Sequence, residues 1–91
     1  MSGACLRLGF TVAVRPAPAL DDEARVALRR ALRDAVEARG LESTPVGEWM
    51  VLVTGVGTQA TDADREALAA WAAERLDVAA HAVGALVDLL G

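Results

Sequence analysis

Apolar and polar residues alternate along the first part of the chain, from Leu6 to Arg15. The residues of one set are all apolar, whereas those of the other set are small or polar. The apolar set is Leu6, Leu8, Phe10, Val12 and Val14. This alternation predicts a β-strand with one buried face. The strand should end at Pro16 and Pro18, because proline cannot donate a hydrogen bond to a sheet.

The longest apolar run lies between Glu48 and Gly57 and predicts the strand around which the sheet is organised. Both of its alternating sets are apolar, with Trp49, Val51 and Val53 on one face and Met50, Leu52 and Val56 on the other. A strand without a polar face is typical of the centre of a sheet. The preceding segment, Leu41 to Val46, contains Pro45 and predicts an edge strand or an irregular entry to this strand.

Two helices are predicted between and after these strands. The first begins at Asp21 or Asp22 and ends at Gly40, a left-handed residue after the last turn, where Arg39 complements the helix dipole. The second begins at Thr61, whose hydroxyl and the Asp64 carboxylate form a variant of the capping box, and runs to about Leu76. Apolar residues at helical spacing form the two predicted buried stripes: Leu28, Ala31, Leu32, Ala35 and Val36, and then Leu68, Trp71, Ala72 and, at the helix end, Leu76.

The last segment, residues 77–91, fits two patterns. Val83, Ala85 and Val87 alternate as in a strand, whereas Ala82, Ala85, Leu86 and Leu89 would also suit a helix. We expect a strand, because the sheet needs a further partner and because Gly84 would weaken a helix.

The resulting order is βαββαβ, which predicts a single α+β domain over residues 1–91. We expect a ferredoxin-like arrangement, with two helices on one face of a four-stranded, mostly antiparallel sheet. The first and third strands should be central, and Phe10 and Trp71 should be substantially buried.

Composition restricts the possible functions of the chain more than its possible folds. The 91 residues suffice for one modest core, and the formal net charge is −4. This charge argues against a chain wholly devoted to nucleic acid, but it allows a local basic face. The N-terminus has no signal-peptide pattern, and no window reaches the roughly 18 apolar residues of a membrane span. We therefore expect a cytoplasmic protein.

Catalytic and cofactor sites are not predicted. Cys5 is the only cysteine, so an internal disulfide is excluded, and no Cys/His cluster has metal-ligand spacing. His81 has no nucleophile near it in sequence and reads as a structural or surface residue. Gly55 and Gly57 precede a helix, but the motif lacks the further residues of nucleotide-binding loops and indicates a turn. The sequence therefore predicts a protein that is not an enzyme and needs no cofactor.

Four arginines of the first helix form the most concentrated basic surface: Arg25, Arg29, Arg30 and Arg33. A ridge with this spacing is suited to follow a phosphate backbone. The alternative is a solvated helix face, since Asp21–Arg25, Arg30–Asp34 and Arg33–Glu37 are all spaced as i,i+4 ion pairs. Taken alone, the residues favour the solvated face. RNA stacking on the open face of the sheet is a weaker hypothesis, because few aromatic side chains are available.

The order and spacing of several segments resemble the YggL family. They include Leu8-Gly9-Phe10-Thr11-Val12, the acidic-started helix that ends at Gly40-Leu41, the glycine-bounded central strand, Thr61 with Trp71 and Arg75, and Val83 with Leu86-Val87-Asp88. The resemblance covers about Leu6 to Leu90. It implies a small bacterial cytoplasmic factor that associates with the large (50S) ribosomal subunit, in assembly or translation.

One departure from the family bears on this implication. Family members often carry an arginine- and lysine-rich segment before the first strand, whereas residues 1–5 here contain no basic residue. This difference leaves three alternatives: ribosome binding is weakened, it is redirected to another target, or it is lost. A rival function is a self-associating or ligand-binding domain, with a homodimer formed through an exposed strand edge at Leu41–Val46 or Val83–Leu89.

Overall fold

Seven elements follow one another along residues 7–89, the part of the chain that the computed structural model describes. Cys5 and the predicted start of the first strand at Leu6 lie outside the described residues, as does Leu90. In chain order the elements are β1 (Leu8–Pro16), α1 (Asp22–Glu37), β2 (Leu41–Gly47), β3 (Met50–Gly55), α2 (Asp62–Ala73), β4 (Val78–Val83) and β5 (Val87–Asp88). The predicted α+β class is confirmed.

The strands form one sheet in the order β2-β3-β1-β4, and β5 also pairs with β1. The pairings of β1 with β3, β4 and β5, and of β2 with β3, are antiparallel. The first and third strands are therefore central, as their apolar patterns predict. Pro45 lies within the edge strand β2, where it removes a donor and so reduces the capacity of this edge to pair with a second copy.

The predicted count of four strands is wrong, because the C-terminal strand is interrupted at Gly84. The Gly84 N–H donates to the Thr11 carbonyl at 2.8 Å. A Cβ at Gly84 would lie only 2.7 Å from the Thr11 hydroxyl, so the backbone approaches β1 more closely than another residue would allow. The chain then returns to β1 as β5, opposite Leu8 and Gly9. Within the described part of residues 77–91, the segment is extended and the helical alternative is wrong.

The core lies between the sheet and both helices. Phe10 and Val53 are directly paired on neighbouring strands and are almost fully buried. Leu32 of α1 and Leu68 of α2 belong to the same apolar cluster, so both helices pack on this face of the sheet. Phe10 is buried as expected, whereas Trp71 is only partly buried at the margin of the cluster. None of the helices within residues 7–89 is long and apolar enough to span a membrane.

The helix ends show which of the predicted caps form. Asp21 is the N-cap of α1, and its carboxylate accepts a hydrogen bond from the Ala24 N–H at 2.8 Å. Gly40 has a φ of +74°, the left-handed conformation expected after the helix. Arg39 does not complement the last turn of α1; it reaches α2 and forms an ion pair with Asp64.

The second helix is shorter than predicted. Thr61 and Asp64 form the capping box, which confirms the predicted start. The helix ends at Ala73 rather than near Leu76, which is almost fully exposed. Beyond the helix, the Arg75 guanidinium forms two hydrogen bonds with the Asp77 carboxylate, at 2.8 and 2.9 Å. This pair stabilises the turn that leads into β4, and it lowers the pKa of Asp77.

Candidate functional site

A groove of about 520 Å³ lies between α1 and the hairpin formed by β2 and β3. We call it the α1–hairpin groove. Its lining is mainly apolar and includes Val26, Leu32, Pro45 and Val51. Its rim carries Trp49 and the three arginines Arg29, Arg30 and Arg33. The groove therefore combines an apolar surface with a concentrated positive charge, on a chain that is acidic overall.

Arg29 and Trp49 form a cation–π pair at the rim. The guanidinium carbon of Arg29 lies 4.3 Å from the centre of the Trp49 ring, within the range of a cation–π interaction. Trp49 directly precedes β3, and its carbonyl accepts a hydrogen bond from the Val14 N–H of β1 at 3.0 Å, which fixes the backbone at this position. Trp49 thus lies on the helix side of the sheet, with Val51, and packs against the core.

The remaining arginines differ in their surroundings. Arg30 is exposed and has no ion-pair partner within residues 7–89. Arg33 approaches Asp34 at 4.0 Å and Glu37 at 3.9 Å, and all three side chains are more than half exposed. Arg29 approaches Glu48 at 3.9 Å, and the Glu48 side chain is 80% exposed. Such long, solvated pairs contribute little to stability, so the arginines remain available to a ligand.

Arg25 is not part of the groove, although its spacing places it in the predicted ridge. Its side chain is half-buried, and its Nε is buried without a hydrogen-bond partner in the described part of the chain. The polar and charged part of α1 that lines the groove consists of Arg29, Arg30 and Arg33, together with the apolar Val26. Arg25 is not among the lining residues. The structure therefore brings together three of the four predicted arginines.

The ion pairs that the sequence predicts on α1 form only in part. Of the three i,i+4 ion pairs that the sequence predicts there, only Arg33–Glu37 forms within residues 7–89. The Asp21 carboxylate caps the helix instead of pairing with Arg25. Sequence reasoning missed the contribution of Trp49, because the contact between helix and hairpin depends on the tertiary fold. The signal that was available is its alternation with Val51 and Val53.

The other candidate sites have fewer features of a binding site than the α1–hairpin groove. The open face of the sheet carries none of the three aromatic side chains, since Phe10 is buried, Trp71 is on α2 and Trp49 is on the helix side. His81 is exposed on the edge strand β4. Within residues 7–89, no group of three or more His, Cys, Asp or Glu side chains is arranged to hold a metal ion.

Comparison with known protein families matches residues 4–90 to the family described as YggL 50S ribosome-binding protein. The chain belongs to this family. The resemblance drawn from the order of its segments is thereby confirmed. No curated protein matches the chain. All elements that form the α1–hairpin groove lie within the matched residues, so the groove is part of the YggL domain itself.

Proposed function

We propose that this protein binds the large (50S) ribosomal subunit and that the arginines of α1 contact ribosomal RNA. Membership of the YggL 50S ribosome-binding protein family supports the target. We infer the location of the RNA contact from one observation, the clustering of Arg29, Arg30 and Arg33 around one groove. Arg25 flanks this cluster and contributes less, because its side chain is half-buried.

The charge distribution supports a restricted contact rather than general RNA binding. The chain has 13 acidic and 9 basic residues, so long-range attraction to RNA is weak for the molecule as a whole. Three arginines around one groove give a local site at which guanidinium groups can form paired hydrogen bonds with phosphate oxygens. Affinity then depends on the fit of a small surface to the ribosome, and it should decrease as salt increases.

The remaining features are consistent with a binding protein that acts in the cytoplasm and is not an enzyme. The strand order β2-β3-β1-β4, with both helices on one face, supports a ferredoxin-like domain in which the second edge is split into two strands. On such a scaffold the rigid helix α1 presents its arginines at fixed spacing. No cofactor is required for a contact of this kind.

Co-sedimentation with purified 30S and 50S subunits at two salt concentrations tests the proposal. The wild type should sediment with 50S and not with 30S, and less of it should do so at the higher salt concentration. The Arg29→Glu/Arg33→Glu variant should bind at least about tenfold more weakly, because two phosphate contacts become repulsive. Each single Arg→Ala change should reduce the salt slope by about one unit.

A matched control separates local contact from overall charge. Arg7→Glu/Arg15→Glu changes the formal net charge by the same amount at two exposed positions outside the groove. This control should retain most of the binding. Equal losses in both double variants would exclude the groove as the contact surface. Absence of 50S binding by the wild type would overturn the proposed function.

A further inference from the structure

We infer that the α1–hairpin groove binds one unstacked nucleotide of single-stranded or looped RNA. The base stacks on the Arg29–Trp49 pair, and Arg30 and Arg33 hold the adjacent phosphate. The inference rests on the proposed function, which supplies RNA as the class of partner. It adds the form of RNA that is recognised, because a stacked base must first leave a duplex.

The first part of the inference, binding of the base, is based on the position of Arg29 over Trp49. The guanidinium carbon of Arg29 lies over the Trp49 ring, yet the Arg29 side chain remains 47% exposed. A planar group can therefore stack on the Arg29–Trp49 pair, as nucleobases do on arginine and aromatic planes. The apolar side chains of Val26 and Pro45, which line the groove, would contact the base edge that is removed from water. Stacking of this kind is tolerant of base identity.

The second part of the inference, binding of the phosphate, is based on the charges of Arg30 and Arg33 beside the Arg29–Trp49 pair. Arg30 and Arg33 are one helical turn apart and project from the same side of α1. Arg30 lacks an ion-pair partner among the described residues, and the carboxylates near Arg33 are 3.9 and 4.0 Å away. Glu48 lies at a similar distance of 3.9 Å from Arg29. Arg30 is thus the groove arginine without a nearby carboxylate among the described residues, and we place the phosphate at Arg30, with Arg33 beside it.

An acidic peptide is the competing occupant, since it would also be attracted by these arginines. The stacked guanidinium and indole favour a nucleotide, because a carboxylate pairs with the edge of a guanidinium and does not need a planar partner on its face. The two occupants therefore differ in how much they depend on the Trp49 ring.

Tryptophan fluorescence tests the stacked base directly. A Trp71→Phe variant leaves Trp49 as the only indole, so its quenching reports contact in the groove. A short single-stranded homo-oligonucleotide should bind with quenching. An abasic strand with the same phosphates should bind roughly 5- to 150-fold more weakly, which is the range expected for one lost stacking contact. Equal binding of the two strands would overturn the inference.

Two variants separate stacking from charge and folding. Arg29→Lys keeps the positive charge but removes the planar group, and it should weaken the oligonucleotide without changing affinity for the abasic strand. Trp49→Ala should have the same selective effect, with its fold checked by circular dichroism because Trp49 packs against the core. Stronger binding of poly-glutamate than of the oligonucleotide, unchanged in Arg29→Lys, would assign the groove to an acidic peptide and overturn the inference.

Measurements of 50S binding distinguish a failure of this inference from a failure of the proposed function. If Arg29→Glu/Arg33→Glu loses 50S binding while Arg29→Lys and a folded Trp49→Ala bind as the wild type does, the stacked nucleotide is excluded and the proposed function stands. If the wild type binds the oligonucleotide selectively but not 50S, the proposed ribosomal function fails and the nucleotide site stands.

Discussion

Gly55→Ala is expected to destabilise the protein by about 3 kcal/mol or more, the largest effect that we predict for one added methyl group. The reason is the path of the chain after β3. A Cβ at Gly55 would overlap the backbone carbonyl of Thr58 and lie 3.1 Å from the Gln59 Cα. These are backbone atoms, so a change of side-chain rotamer cannot relieve the clash.

The turn after Gly55 also positions the next helix, which is why its distortion should spread. Ala60 follows the turn and is 1% exposed, within the apolar core. Thr61 then caps α2. A shift of Thr58 away from Gly55 would displace both residues, and with them the start of a helix that packs on the sheet.

Gly57→Ala is the matched control in the same turn. Gly57 has a φ of +71°, but a Cβ there would have no atom within 4 Å. Its cost is therefore the conformational strain of a left-handed residue, about 1–2 kcal/mol. Denaturant unfolding followed by circular dichroism measures both variants. A loss for Gly55→Ala no greater than that for Gly57→Ala would show that the turn relaxes easily.

Local patterns predicted the elements of this fold well. Alternation in β1 and the apolar run in β3 identified the two central strands, because burial on a sheet follows a period of two. Thr61 and Asp64 identified the start of α2, since a capping box involves residues only three positions apart. The same argument explains the partial success at the candidate site, where helical spacing alone placed Arg29 and Arg33 on one side of α1.

Features that depend on distant contacts could not be predicted in this way. The strand is interrupted at Gly84, whose backbone lies close to Thr11, 73 positions earlier in the chain. Trp49 joins the arginines because the hairpin packs beside α1. The groove thus depends on a helix and a hairpin whose relative position no periodicity encodes.

The Arg39–Asp64 bridge is the third feature of this kind, and it leads to a second strong prediction. Arg39 Nε lies 2.8 Å from one carboxylate oxygen of Asp64. The other oxygen accepts hydrogen bonds from the Thr61 N–H at 2.9 Å and from its hydroxyl at 3.0 Å. One carboxylate therefore caps α2 and connects it to the chain that leaves α1. Its side chain is only 11% exposed.

Asp64→Ala is expected to lower the free energy of unfolding by about 2–3 kcal/mol, since it removes hydrogen bonds to a charged and largely buried group. The Arg39 side chain is 36% exposed and can be rehydrated, which limits the loss. Asp62→Ala is the matched control in the same turn of α2. Asp62 pairs with Arg65 at 2.8 Å, but its side chain is 70% exposed, so the loss should stay below about 1 kcal/mol.

The pH dependence of unfolding tests whether the charge of Asp64 is responsible. Burial of Asp64 raises its pKa, but the hydrogen bonds from Arg39 and Thr61 outweigh this effect and leave the pKa below the usual value of 3.8. A carboxyl group with a lowered pKa in the folded state stabilises the protein fully above its unfolded pKa. This stabilisation is lost as the pH falls through the folded pKa.

Denaturant unfolding of the wild type and Asp64→Ala should therefore differ most near neutral pH, and the two stabilities should converge as the pH falls below 3.8. Asp77 should leave some acid sensitivity in the variant, because its pKa is also lowered, by its pair with Arg75. Asp64→Asn keeps a hydrogen-bond acceptor without the charge, so its stability should lie between those of wild type and Asp64→Ala at neutral pH. A difference between wild type and Asp64→Ala that stays constant from neutral to acid pH would assign the loss to packing, because only an ionised carboxylate gives convergence.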